Sequence, residues 1–283
     1  MTKRLALRLS LGLIVLALAA AFGAAQEPYK LPPQNVQDIL NAPPTPRVTL
    51  SPDREVMLLV ENESMPTIAY ISQPLLRLAG MRITPANNSG QVLTFSTGLT
   101  LKTIKTGLER KIDLPAGIKF SGASWSDDGK WIAFARYLDD GVELWVVDAV
   151  SGRAKALTAP RLNMVTGDIA WMPGDKQILC SMVPGDRGPA PVEPRIPIGP
   201  TVQVSGGKQT KVATMQDLLK SPSDETLFDY YATGQLVEVD VPTGQVKSIG
   251  KPGIYASVEP SPDGAYLLVE RIKRPYSYSV AYY

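Results

Sequence analysis

The 283 residues offer one thiol, Cys180, and no histidine to activate it. A catalytic cysteine needs a base beside it, and Cys180 lies in the apolar run Ile178-Leu179-Cys180 after a turn. It reads as a buried strand thiol. A hydroxyl nucleophile fares no better. Gly122-Ala123-Ser124-Trp125-Ser126 lacks the final glycine of a nucleophile elbow. Gly207-Lys208 lacks both the upstream glycine and the following Ser or Thr of a phosphate loop. Without histidine, and with a single cysteine, zinc has no ligand set. Asp127-Asp128-Gly129 and Asp139-Asp140-Gly141 open like calcium loops but never reach a terminal Glu, so they read as turns. Asp148 and Asp240 each follow an apolar strand and precede a Gly turn, where a lone carboxylate bonds turn amides. The pair Asp224-Glu225 has the residue types for acid–base work, but adjacent acids in a polar segment are ordinarily solvated. Tyr230-Tyr231 could stack on a ligand; the alternative is that one is buried and the other caps an edge. Trp125, Trp131, Trp145 and Trp171 fall on strands or at strand starts and are expected to pack between sheets. No catalytic, cofactor or metal residue is therefore assigned, and the substrate-binding residues stay unknown.

What the chain does contain is a repeated scaffold. A polar turn, Ser-Pro-Asp-Gly or a degraded form of it, is followed at once by an apolar strand. The copies are Ser51-Pro52-Asp53-Arg54 before Val56–Val60, Ser126-Asp127-Asp128-Gly129 before Trp131–Phe134, Met172-Pro173-Gly174-Asp175 before Gln177–Leu179, and Ser261-Pro262-Asp263-Gly264 before Tyr266–Val269. Further strand–turn–strand units run from Glu143 through Gly152 to Leu157, and from Leu236 through Gly244 to Ile249. The residues before the four turns, Leu50, Trp125, Trp171 and Pro260, are about 75, 46 and 89 apart, against roughly 40–50 for a four-stranded blade. The spacing predicts an all-β fold: a partial β-propeller of about four to five blades. In this reading 46 is one blade, 89 about two, and 75 one blade with an insertion or a blade without its turn signal.

The organisation expected is a signal peptide over 1–25, a proline-rich arm over 26–46 and an incomplete propeller over 47–283. Lys3, Arg4 and Arg8 precede the apolar stretch Leu9–Phe22 and the small residues Gly23, Ala24 and Ala25, the pattern of a cleaved secretory signal. An uncleaved anchor is the alternative. Export follows, to a bacterial periplasm or the medium, with the lack of disulfides favouring the periplasm. The formal charge is +2, and losing the three basic residues of the signal leaves 26 basic against 27 acidic. That balance gives no basis for a nucleic-acid partner, or for a membrane partner once the signal is removed. A short helix fits Val36–Leu40. Pro184–Pro200 reads as a long loop, and Gln216–Leu219 with Asp224-Glu225 as a short helical insertion before Leu227. Tyr276, Tyr278, Val280, Tyr282 and Tyr283 alternate like a strand.

Several tracts resemble the N-terminal propeller of the glutamyl endopeptidase branch of the prolyl oligopeptidase family. They are Tyr29–Pro33, Asp38–Pro44, Leu78–Ile83, Phe95–Leu99, Gln216–Lys220, Leu227–Leu236 and Arg274–Tyr278. The Asp229-Tyr230-Tyr231-Ala232-Thr233 and Arg274-Pro275-Tyr276-Ser277 tracts are the most specific. The resemblance implies a seven-bladed propeller stacked on a C-terminal α/β-hydrolase domain with a Ser, Asp, His triad. Such enzymes cleave peptides after glutamate, and the propeller covers the active site and admits substrates by size. No position of this chain matches the triad, and the hydrolase domain is expected to be absent. The chain is thus expected to be the propeller part of an exported serine peptidase, inactive alone, its partners being peptide substrates and the missing hydrolase domain. The competing expectation is a non-catalytic periplasmic propeller that binds a protein or peptide.

Overall fold

A computed structural model describes residues 30–192 and 215–281. The expected signal peptide, the start of the arm, the latter part of the Pro184–Pro200 loop and the last two tyrosines lie outside the described residues. The chain divides into two units, 1–42 and 43–283. In the first, α1 (Gln34–Asn41) forms where the helix was expected. The Gln34 side chain donates to Asp38 across one helical turn at 2.7 Å. No helix among the described residues is long and apolar enough to cross a membrane.

The second unit is a succession of antiparallel meanders. The first comprises β1 (Arg47–Leu50), β2 (Val56–Asn62), β6 (Ser96–Thr103) and β7 (Glu109–Lys111). The second comprises β8 (Phe120–Trp125), β9 (Trp131–Tyr137), β10 (Val142–Asp148) and β11 (Ala154–Ala156). A lone pairing of Ser96 with Phe120 touches the two together. The third comprises β12 (Ala170–Trp171), β13 (Gln177–Met182), β14 (Gly234–Asp240) and the first part of β15 (Val246–Pro260). The remainder of β15 pairs with β16 (Leu267–Ile272) and so begins a fourth.

Three four-stranded blades and the first hairpin of a fourth therefore stand among the described residues, rather than four to five blades. The 89-residue interval is a single blade with a long insertion between β13 and β14. The 75-residue interval is likewise one blade, with β3 (Leu76–Leu78), β4 (Met81–Thr84), β5 (Ser89–Gly90) and α2 (Ile68–Ile71) inserted between β2 and β6. Gln216–Leu219 is not helical. The helix of the second insertion is α3 (Pro222–Ala232), and it contains Leu227.

The strand periodicity explains the stacking. Along β9, Ile132 and Phe134 join a core with Leu58, Val60 and Leu99 of the first blade and Phe120 of their own. Ala133 and Ala135 point the other way, into a core with Ile178, Cys180, Val237 and Val239 of the third. One strand thus serves two interfaces, bulky on one side and small on the other. The turns carry their own bonding. Ser51, Ser126 and Ser261 each donate to the aspartate two residues on, at 2.5, 2.8 and 2.6 Å. Each also accepts the amide five residues on at 3.0 Å. The Ser51 and Ser261 hydroxyls, followed by the Glu55 and Ala265 amides, hold Asp53 and Asp263 below the usual carboxylate range. The last turn position has φ of 61° at Arg54 and 70° at Gly129 and Gly264, which is why glycine is favoured there.

In the degraded copy Asp175 occupies that position (φ 58°). Its carboxylate accepts the Asp127 and Asp128 amides of the preceding blade, both at 2.8 Å. Asp148 accepts the Val150 and Ser151 amides, and Asp240 the Thr243 amide, the turn roles expected of both.

Cys180 is 2% exposed, and burial pushes its thiol up to about 12. It should therefore resist iodoacetamide at pH 8 in the native protein and react once urea opens the third blade. Alkylation of the folded chain at the rate of a free thiol would contradict this packing.

Candidate functional site

In an antiparallel meander the first and second strands are joined at one end, and the second and third at the opposite end. The Ser-Pro-Asp-Gly turns consequently share one face of the stack. Pro52 lies near Gly129, and Pro173 near Gly264. Both large insertions leave from the other face, where they meet. Leu78, Ala79 and Ile83 of the first insertion share a core with Leu219, Phe228, Tyr231 and Ala232 of the second. Tyr276 and Tyr278, from beyond β16, pack against it.

The sequence dictates α3. Ser221 caps it by accepting the Asp224 amide at 3.2 Å, and Pro222 stands where no amide donor is needed. Asp224 reaches back to the Lys220 amide at 2.7 Å. The Asp224-Glu225 pair is therefore structural: one acid completes the cap, and the other is a docking point. Arg274 donates to Glu225 at 2.5 Å and to Asp229 at 2.7 and 3.0 Å. The Tyr276 hydroxyl donates to Asp229, and that of Tyr278 to Glu225 at 3.0 Å. Burial, then the bond to Asp229, raises the Tyr276 hydroxyl above its usual range. The residues after β16 thus fold back onto α3, not into the strand their alternation suggested; Tyr282 and Tyr283 lie outside the described residues.

The C-terminal carbonyls of α3, which no helical amide reaches, are taken by side chains from elsewhere. Asn163 donates to Tyr231 and Thr233 at 3.0 and 2.9 Å while accepting the Val165 amide at 3.1 Å. Asn88 donates to Tyr231 at 3.2 Å. Arg187 donates to Asn88 at 2.5 Å and to the Tyr230 carbonyl at 3.2 Å. Its guanidinium lies 4.2 Å from the centre of the Tyr230 ring. Across to the first insertion, the Asp217 carboxylate accepts Arg82 at 2.9 Å and the Asp217 carbonyl accepts the Gly80 amide at 2.8 Å. The two tyrosines divide their roles: Tyr231 is buried in the shared core, and Tyr230 forms an arginine platform. Asn88, Asn163 and Arg187 carry no motif, and sequence reasoning did not single them out.

Four of the tracts singled out earlier, Leu78–Ile83, Gln216–Lys220, Leu227–Leu236 and Arg274–Tyr278, come together in this assembly. Phe95, from a fifth, stacks edge-on with Tyr70 of α2 and with Tyr137, at 5.3 and 5.2 Å. Among the described residues no group of His, Cys, Asp and Glu is arranged to hold a metal. Four-stranded meanders stacked face to face, with a built-up platform of insertions on one face, define a β-propeller segment.

No family model matches the chain. It is 36% identical over 267 residues to a protein named probable glutamyl endopeptidase, chloroplastic, from Oryza sativa subsp. japonica, covering 89% of this chain and 28% of that protein. The Arabidopsis thaliana protein of the same name is 36% identical over 266 residues, with the same two coverages. The chain belongs to the glutamyl endopeptidase branch of the prolyl oligopeptidase family, in its propeller part, and spans little more than a quarter of the curated relatives it matches. Solved structures overlay more loosely. A prolyl endopeptidase is 14% identical with a TM-score of 0.43, covering 87% of this chain and 32% of that one. Pyrococcus horikoshii acylaminoacyl peptidase is 13% identical with a TM-score of 0.41, covering 78% and 27%.

Proposed function

We propose that these residues are the propeller of an exported serine peptidase that cleaves peptides after glutamate, and that they control which substrates reach a catalytic centre built from residues outside this chain. The observation that supports this reading most directly is the convergence of the family-like tracts on the insertion face. Surface that merely holds blades together has no need to gather α3, the β3–β5 sheet and the Arg274 tract into one platform. The division of labour is chemical. A triad peptidase needs a base to deprotonate its nucleophile, and none of the 283 residues is a histidine. In this reading the first 25 residues direct export and are removed. Peptides and the hydrolase domain are the partners, with no nucleic acid or membrane engaged.

A chimera tests it. Residues 47–281 would replace the matching segment of the rice relative. The chimera should cleave a fluorogenic peptide after glutamate and prefer short peptides to a folded protein, while the 283-residue chain alone should do neither. A folded chimera without activity would count against the reading, as would fluorophosphonate-sensitive turnover by the isolated chain.

A further inference from the structure

The guanidinium of Arg187 is held entirely by neutral groups: an amide oxygen, a carbonyl oxygen and the Tyr230 ring. It takes part in none of the ion pairs among the described residues. Its hydrogen bonds among the described residues use one terminal nitrogen, Nη1; the other terminal nitrogen and Nε make none there. That leaves one edge of a planar fork, the geometry that matches a carboxylate in a bidentate pair.

Arg187 lines an open groove of about 410 Å³ beside α3, walled also by Pro184, Pro191, Pro252, Thr226 and Tyr230. Two acids also border it. Asp229 is occupied by Arg274 and Tyr276. Asp186 is exposed and not paired with Arg187, so it disfavours a multiply charged ligand more than a single carboxylate. The Tyr230 hydroxyl donates to the Gly188 carbonyl at 2.9 Å, which ties the platform to the loop that carries the arginine. The cation is thus positioned before any ligand arrives.

We propose that this groove is a subsite for the acidic side chain of an extended peptide, with Arg187 as the specificity-determining residue. Proline and tyrosine walls suit an extended backbone, and the guanidinium supplies the one positive charge among the residues lining the groove. The inference rests on the peptide-handling reading above and adds to it the residue that selects the side chain.

Fluorescence anisotropy on the 283-residue chain tests it, using labelled Ala-Pro-Glu-Pro-Ala and its Gln and Lys counterparts. The Glu peptide should bind about tenfold or more tighter than the Gln peptide, the scale of a charge-assisted pair. The gap should narrow between about 50 and about 500 mM salt. Arg187→Gln should erase the preference, and Arg187→Lys, which keeps charge without the fork, should retain part of it, with circular dichroism confirming that both are folded. If Arg187→Gln does not fold, the wild-type peptide series and Arg187→Lys still decide. Equal binding of Glu and Gln peptides overturns the inference yet leaves peptide handling intact. A Glu preference that survives in folded Arg187→Gln also overturns it. Failure to bind any of the three overturns it too, and whether the broader reading falls with it is decided separately by the chimera.

Discussion

Asn163→Asp is expected to destabilise the protein by at least about 3 kcal/mol at neutral pH, although it changes one heavy atom. Asn163 is 1% exposed. Its amide nitrogen donates to the Tyr231 and Thr233 carbonyls, and its oxygen accepts the Val165 amide. The aspartate keeps the acceptor and turns the donor into a second acceptor. A buried negative charge would then face two carbonyl oxygens. Its native pKa must rise above the unfolded value of about 3.9. The linkage then has a definite sign. A group with a raised folded pKa loses stability as pH rises, so the deficit relative to wild type should be largest near pH 7. It should shrink as pH falls toward about 4, where the protonated acid can donate again. Asn163→Ala should show a deficit with little pH dependence. Urea unfolding of the three proteins at pH 7 and pH 4 checks this, and a pH-independent Asn163→Asp deficit would show that the buried charge is not its cause.

Phe228→Ala should cost about 3–5 kcal/mol, the range for removing a fully buried aromatic ring. Phe228 has no exposed surface and anchors α3 in the shared core. Its ring meets Tyr276 edge-on at 5.2 Å. The consequence should extend beyond stability, because α3 carries Tyr230, Glu225 and Asp229. The Arg274 tract would lose its seat, and the Arg187 platform its alignment. Leu144→Ala, in the core between the second and third blades, is the control: similarly destabilising, but remote from α3. Denaturant unfolding gives the first effect. The Glu-over-Gln peptide ratio, measured well below either variant's unfolding midpoint, gives the second. A Phe228→Ala protein that loses stability but keeps the ratio would show that α3 holds its place without the ring.

What could be read from the chain in advance was what neighbouring residues decide. The serine-centred bonds of the Ser51, Ser126 and Ser261 turns all lie within six residues, so their motif is complete in the sequence, and the strands after them begin within one residue of the expected starts. The Asp148 and Asp240 turns were clear for the same reason. Blade count was not, because the length of an insertion between two strands has no local signature. Ser221-Pro222 followed by Asp224 and Glu225 is a helix start, and reading it as one would have placed α3 correctly. The polar seat of that helix could not be found this way. Asn88 reaches a carbonyl 143 positions away, Asn163 one 68 away, and Arg187 one 43 away. Those separations become contacts only after two insertions from different blades meet. Asp175 is an intermediate case. Its turn is recognisable as a poor copy, but nothing within the turn hints that the Asp175 carboxylate crosses to the neighbouring blade.

The fifteen residues of β15 belong to the third blade at one end and to the fourth at the other, with no linker between. Neighbouring blades are therefore joined by covalent continuity of the backbone as well as by side-chain packing. A ligand that steadies α3, seated on the third blade, also steadies the segment through which the fourth begins. Occupancy at the platform is thus expected to reach the step from the third blade to the fourth through β15 itself.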